Sequence, residues 1–258
     1  MKKIGLFGGT FDPVHLGHLA MAQELQQTLQ LDQMRLLPCH LPPHRPQPVA
    51  SGRQRAAMVR LTIAADVNAN ALSCDERELA RDGLSYTIDT LIDLREELEH
   101  ESGKSAKESN AKVSLILCMG MDSFNSLPSW HRWRELLNYA HIAVVARPGY
   151  LQLGNQAECQ AECQIEYQVE KQPDELAEWL HIHQVSSQEF VTAINHRSAG
   201  CIALLQLSLL PISATDIRAK IAAEAEMKVE NKAEAPWSSL VPAVVARYIQ
   251  DGGLYRPR

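Results

Sequence analysis

Near its start the chain reads Lys3-Ile4-Gly5-Leu6-Phe7-Gly8-Gly9-Thr10-Phe11-Asp12-Pro13-Val14-His15-Leu16-Gly17-His18. Residues 3–7 form a short apolar run that Gly8 and Gly9 end, and from 16 to 29 the apolar residues Leu16, Leu19, Ala20, Ala22, Leu25 and Leu29 sit among helix formers. The order is strand, glycine turn, helix. Outward from it the alternation repeats. Residues 34–37 read as a second strand, and 38–48 as a loop, because proline lacks the amide donor that strands and helices need. Ser51 suits the N-cap of a helix reaching Ala65, residues 71–74 read as a strand, and a helix starts at Ser85 or Tyr86 and runs to about 99. Residues 113–119 and 141–146 are nearly continuous apolar runs of strand length, with a short helical region at 130–137 between them. Residues 201–207 supply a last strand and 241–250 a last helix, with Gly252 and Gly253 as stop signals.

Strands alternating with helices at this spacing predict an α/β fold, a doubly wound parallel sheet, with ligands at the carboxyl ends of the strands near the reversal of strand order. Three polar stretches, 96–112, 150–200 and 222–236, fall outside the alternation and read as insertions or surface extensions. The chain from 1 to 258 is therefore expected to be one domain with an insertion at about 150–200. A tetrapeptide repeated once within it, Ala157-Glu158-Cys159-Gln160 and Ala161-Glu162-Cys163-Gln164, is too short for a repeat architecture.

A chain of 258 residues with 45% hydrophobic side chains can bury a sizeable core. Its 31 acidic and 25 basic residues give a net charge of −6, which argues against a general nucleic-acid binder, so an anionic ligand must be met locally. No apolar stretch approaches the roughly 18 residues of a membrane span, and the first apolar run breaks at glycine too early for a signal peptide. A cytoplasmic protein with no membrane or nucleic-acid partner is expected. The six cysteines read as reduced small hydrophobes. Cys159, Cys163, His181 and His183 are zinc-ligand types, but C-x-x-x-C followed by H-x-H is a loose spacing and a polar insertion is the default.

Residues 8–18 are the densest chemical signal. Gly8 and Gly9 let backbone approach a phosphate closely, Asp12-Pro13 turns the chain, and a helix starting near Leu16 points free amides and a positive dipole end at that phosphate. His15 and His18 fall near one face. Neither G-x-x-x-x-G-K-[ST] nor G-x-G-x-x-G spacing is present, which demotes P-loop and dehydrogenase readings.

G-G-T-F-D-P-x-H-x-G-H followed by Ile212-Ser213-Ala214-Thr215-Asp216-Ile217-Arg218 resembles the nucleotidylyltransferase superfamily, of Rossmann-like topology. Pro42-Pro43-His44-Arg45, Ser85-Tyr86-Thr87, Gly120-Met121-Asp122-Ser123, Leu127-Pro128-Ser129-Trp130 and Gly253-Leu254-Tyr255-Arg256 resemble its bacterial nicotinate-nucleotide adenylyltransferase branch. The similarity spans residues 1 to about 150 and 201–256. It implies transfer of AMP from ATP to nicotinate mononucleotide in NAD biosynthesis, with Mg²⁺ accompanying ATP and no protein metal site. By the resemblance, His15, His18 and Arg218 are catalytic, and Gly8, Gly9, Thr10, Phe11, Ser213 and Thr215 hold ATP. Thr87, Asp122, Trp130 and His44 hold the acceptor, the indole stacking on the pyridine ring. Cys39 and His40 depart from the pattern, standing where a pair of amide side chains is expected.

On residue types alone, bland readings stay open. Ser213 and Arg218 would suit an ordinary capped helix, Asp122 an N-cap, Thr87 an early helix position, and Trp130 with Trp133 a pair of core residues. His44 and Arg45 suit solvent as well as phosphate. Rival functions are the same reaction on nicotinamide mononucleotide or phosphopantetheine, and a nucleotide-binding protein without turnover. Homo-oligomerisation is left open.

Overall fold

Successive residues of a strand point to opposite faces, and here both sets are apolar. In β4 (Val113–Gly120) Leu115, Leu117 and Met119 join one buried cluster, while Ile116 and Cys118 join the other. In β5 (His141–Ala146) Ile142 and Val144 alternate with Ala143 and Val145 in the same way. These strands belong to a six-stranded parallel sheet with β1 (Lys2–Gly9), β2 (Gln33–Pro38), β3 (Leu72–Cys74) and β6 (Ile202–Gln206). The order is β3-β2-β1-β4-β5-β6, so the direction of winding reverses between β1 and β4. The computed structural model describes residues 1–41, 47–102, 113–146, 174–226 and 236–256.

Helices α1 (Leu16–Thr28) and α2 (Gly52–Ala65) pack on one face. Helices α3 (Thr87–Ser102), α4 (Met121–Asn125) and α5 (Leu136–Tyr139) pack on the other. Ser51 caps α2 as expected, accepting from the Gln54 amide in a reciprocal capping box. Helix α3 begins at Thr87 because Ser85 is engaged elsewhere: its amide donates to the Leu41 carbonyl and its Oγ accepts from the His40 amide.

Within the stretch 150–200 the structure describes residues 174–200, which hold two helices packed into the core. Helix α6 (Asp174–His183) buries Leu176, Trp179 and Leu180 on the α3 face, and α7 (Ser187–His196) buries Phe190 and Ile194 on the α1 face. Between them the Val185 amide donates to the Ile202 carbonyl at 2.9 Å, so the link runs along the β6 edge. A ten-residue amphipathic helix anchored by two or three apolar residues looks polar in bulk composition while being integral to the core. Residues 147–173, with Cys159 and Cys163, lie outside the described residues. The expected extension at 222–236 begins as the end of helix α8 (Ala214–Glu226), and its residues 227–235 also lie outside them. The last helix is α9 (Ala243–Asp251).

Two buried basic side chains, one of them a neutral imidazole, tie edges together. Arg95 donates to the carbonyls of Tyr139, Val113 and Ser198. His141, at the start of β5, accepts the Cys201 amide on Nδ1 at 3.2 Å and bonds the Arg197 carbonyl through Nε2 at 3.1 Å, which requires the proton on Nε2. Burial pushes this imidazole down to about 4. No helix among the described residues is long and apolar enough to cross a membrane.

Candidate active site

The carboxyl ends of β1 and β4 open into a cleft of about 780 Å³ at the reversal of strand order. Its floor is the loop from Gly8 to His18. Phe11 adopts the left-handed conformation, with φ of 50°, and its buried ring packs edge-on against Phe7 and His18. The phenyl group is core, so what Phe11 can offer a phosphate is backbone.

His15 is the N-cap of α1 and His18 its third residue. His15 Nδ1 accepts the His18 amide and His18 Nδ1 accepts the His15 amide, both at 3.3 Å. The rings stack with centroids 3.6 Å apart and planes 25° from parallel. An Nδ1 that accepts cannot carry the proton, so each neutral ring must be protonated at Nε2, the nitrogen away from the backbone. Burial pushes His15 down to about 4; burial and then the charge of His15 hold His18 well below the usual range. Two neutral N–H donors therefore face the cleft at neutral pH.

Helix α8 closes the same end. The Ser213 carbonyl accepts the Ile217 amide, which places Ser213 at its N-cap. Arg218, half-buried one turn on, donates from Nη1 to the Asp12 carbonyl at 2.7 Å and from Nη2 to Thr215 Oγ1 at 3.3 Å. The Asp12 carboxylate is itself a hub, accepting the amides of Val49 and Ala50 and the hydroxyl of Tyr255. Beneath it Arg55, 1% exposed, donates to the carbonyls of Thr10, Cys39, His40 and Ala50. One guanidinium thus welds the loop after β1 to the connection between β2 and α2.

The other end is lined by Thr87, Met121, Asp122 and Trp130, with the His131 ring tilted 41° against Tyr86, centroids 4.7 Å apart. Trp133, three residues on from Trp130, is buried edge-on against Trp179. The two indoles therefore divide, one to the cleft and one to the core. Gly120, not Asp122, is the N-cap of α4, and Asp122 is exposed in the first turn of that helix. Glu78, which also lines the cleft, is buried and accepts Thr90 Oγ1 at 2.9 Å; burial raises its carboxyl above the usual range.

Twelve residues singled out from the sequence line this one cleft: His15, His18, Arg218, Gly8, Gly9, Thr10, Phe11, Ser213, Thr215, Thr87, Asp122 and Trp130. His44 lies outside the described residues. Sequence reasoning missed Asp12 as a hub, Arg55, Glu78, Tyr255 and His131. Arg55 and Tyr255 lie 45 and 243 residues from the loop positions they bond, and only the motif Gly253-Leu254-Tyr255-Arg256 signalled either. The departure at Cys39 and His40 is absorbed by backbone. The Cys39 amide donates to the Gly9 carbonyl, the His40 amide to Ser85 Oγ, and both carbonyls accept from Arg55.

The cytidylyltransferase-like family model matches residues 6–220. Relatives named "Probable nicotinate-nucleotide adenylyltransferase" are 43% identical over 255 residues in Cellvibrio japonicus, covering 98% of each chain, and 42% identical over 254 residues in Aeromonas hydrophila, covering 98% of this chain and 97% of that one. Among solved structures, Plasmodium falciparum nicotinic acid mononucleotide adenylyltransferase complexed with NaAD superposes with a TM-score of 0.64 at 13% identity, over 99% of this chain and 98% of that one. A putative nicotinate-nucleotide adenylyltransferase from Vibrio parahaemolyticus gives 0.53 at 15% identity, over 100% and 98%. These two share the fold.

Proposed function

The chain belongs to the cytidylyltransferase-like family, and from that premise we propose that it transfers the adenylyl group of ATP to the phosphate of nicotinate mononucleotide. The products are nicotinate adenine dinucleotide and pyrophosphate. The observation that carries this reading is the pairing of ends in one cleft: His15, His18 and Arg218 at one, Thr87, Asp122 and Trp130 at the other.

The acceptor phosphate is already ionised at neutral pH, so its oxygen attacks the α-phosphorus without a base and without a covalent enzyme intermediate. One P–O bond forms, the bond from the α-phosphorus to the bridging oxygen breaks, and the electron pair leaves on pyrophosphate. The chain must align the two oxygens and meet the negative charge that grows on the leaving group. His15 and His18 donate from Nε2 to those phosphates, and their depressed basicity keeps them neutral until the charge arrives. Arg218 adds a fixed charge whose aim is set by its bonds to Asp12 and Thr215. Thr10 and the amino ends of α1 and α8 bracket the triphosphate. Trp130 offers a flat surface to the pyridine, Thr87 a hydroxyl, and Asp122 an acceptor for sugar hydroxyls.

Asp12 is the carboxylate within the phosphate loop, and both its oxygens are already committed to protein donors. With those oxygens committed, an Mg²⁺ would be held by the nucleotide phosphates and water, and it would supply charge neutralisation at the leaving group. Incubation with Mg·ATP and nicotinate mononucleotide is expected to give equal amounts of pyrophosphate and a dinucleotide of the corresponding mass. Binding of both substrates without either product would refute the reading.

A further inference from the structure

Arg218 can serve a triphosphate only if its guanidinium is held at the right angle, and of the two atoms that hold it the Asp12 carbonyl is the nearer, 2.7 Å from Nη1 against 3.3 Å from Nη2 to Thr215 Oγ1. The orientation of that carbonyl depends in turn on what anchors Asp12. Three donors converge on the carboxylate: the Val49 amide on Oδ2 at 2.8 Å, and the Ala50 amide and Tyr255 hydroxyl on Oδ1 at 3.1 and 2.8 Å. Two are backbone groups of the loop before α2. The third is a side chain from the last turn of the chain.

The tail is shaped to deliver it. After α9 the Leu254 amide caps the Ile249 carbonyl at 3.0 Å, and the backbone enters the left-handed region at Gly253, φ 59°, and again at Tyr255, φ 66°. A tyrosine is rarely found there, and such a conformation persists only where surrounding contacts enforce it. The Tyr255 ring is buried in the core cluster beneath the phosphate loop, with its hydroxyl against Asp12. Burial and the adjoining carboxylate hold the phenol well above its ordinary range, so it remains a donor at any working pH. The tail therefore closes a chain of contacts from the carboxyl terminus to the triphosphate end of the cleft: Tyr255 to the Asp12 carboxylate, and the Asp12 carbonyl to Arg218.

We infer that Tyr255 is a positioning residue for adenylyl transfer, fixing Asp12 so that its carbonyl aims Arg218 at the ATP phosphates. The inference rests on the reading that Arg218 meets ATP. It gives the C-terminal tail a role in turnover beyond packing.

The test is a double-mutant cycle of Tyr255→Phe and Arg218→Ala in the full chain. Three quantities are read: turnover of Mg·ATP with nicotinate mononucleotide, affinity for α,β-methylene-ATP, and melting temperature. Tyr255→Phe keeps the ring and loses only the hydroxyl. It is expected to lower kcat about tenfold, leave KM for nicotinate mononucleotide within twofold, and weaken analogue binding severalfold. In the Arg218→Ala background the same change is expected to have almost no further effect on kcat or analogue affinity, because the group being aimed is gone. A lowered melting temperature with wild-type kcat and analogue affinity would overturn the inference, as would an equal loss in both backgrounds. If Tyr255→Phe does not fold, Asp12→Asn, which keeps the shape and removes the charge, enters the cycle in its place. A wild-type chain that fails to turn over nicotinate mononucleotide counts against the proposed function instead, and the cycle is then decided on analogue affinity by the same two outcomes.

Discussion

His15 and His18 cap one another: each Nδ1 accepts the other's backbone amide at 3.3 Å, and the rings stack at 3.6 Å. The pairing selects the tautomer that turns Nε2–H outward and excludes water from one face of each ring. It converts two surface-type residues into rigid, neutral donors before any nucleotide arrives, which is the preorganisation that charge stabilisation in a transition state requires.

Replacing His18 with alanine removes a donor to the charge that develops on the leaving group. A fall in kcat of roughly 10²–10³ is expected, with KM for ATP changed only a few-fold. A rise in KM at unchanged kcat would mean that His18 serves ground-state binding instead.

Two glycines of the loop are predicted to fail differently. A Cβ on Gly8 meets nothing within 4 Å, so Gly8→Ala should melt like the wild type yet lose ATP affinity, since the methyl projects where a phosphate approaches. A Cβ on Gly17 would lie 3.0 Å from His15 Nδ1, so Gly17→Ala should disturb the ring, the cap and kcat together. Isothermal calorimetry with an ATP analogue, beside thermal melts, separates the two.

Arg55→Met would strand four carbonyls that one guanidinium now serves, three of them, at Cys39, His40 and Ala50, between β2 and α2. A loss of about 3 kcal/mol or more is expected from the urea midpoint, because buried acceptors left unpaired carry their full desolvation penalty. Lysine should recover only part, having no planar fork. A midpoint unchanged in Arg55→Met would contradict the role given to the residue.

Stability should fall on acidification below about pH 6.5. Unfolded imidazoles take up a proton near that value, whereas folded His15 and His141 do so only at about 4. Between the two the unfolded chain binds more protons, so each group costs about 1.4 kcal/mol per pH unit as pH drops through this window. Urea midpoints at pH 7, 6 and 5 check the slope, and His141→Asn should flatten it.

Trp130→Leu should raise KM for nicotinate mononucleotide about five- to tenfold with little effect on KM for ATP, since stacking on an indole is worth on the order of 1 kcal/mol. Equal changes in both would place the indole elsewhere in the cleft.

What could be read from the chain beforehand divides by contact range. The strands were legible because their apolar runs are continuous, and α2 because Ser51 and Gln54 form a local cap. Six of the twelve cleft residues were legible because Gly8 to His18 is a single contiguous stretch; the other six stand in short separate motifs that carried no such signal on residue type alone. The helices at 174–196 were missed because five anchors, Leu176, Trp179, Leu180, Phe190 and Ile194, are diluted among polar neighbours, and their partners are strands far away in sequence. Asp12 read as a turn former, which it is locally; its carboxylate partners at 49, 50 and 255 are visible only once the chain has folded. Trp130 and Trp133 could not be told apart by spacing, because the turn at Arg132, left-handed with φ of 52°, breaks the helical period between them.

The most direct test of the central claim is kcat/KM with Mg·ATP for three acceptors in parallel: nicotinate mononucleotide, nicotinamide mononucleotide and phosphopantetheine. Pyrophosphate release with a clear preference for the nicotinate nucleotide is expected. Preference for either of the others would overturn the acceptor assigned to Thr87 and Trp130, and no turnover with any would contradict an adenylyltransferase altogether.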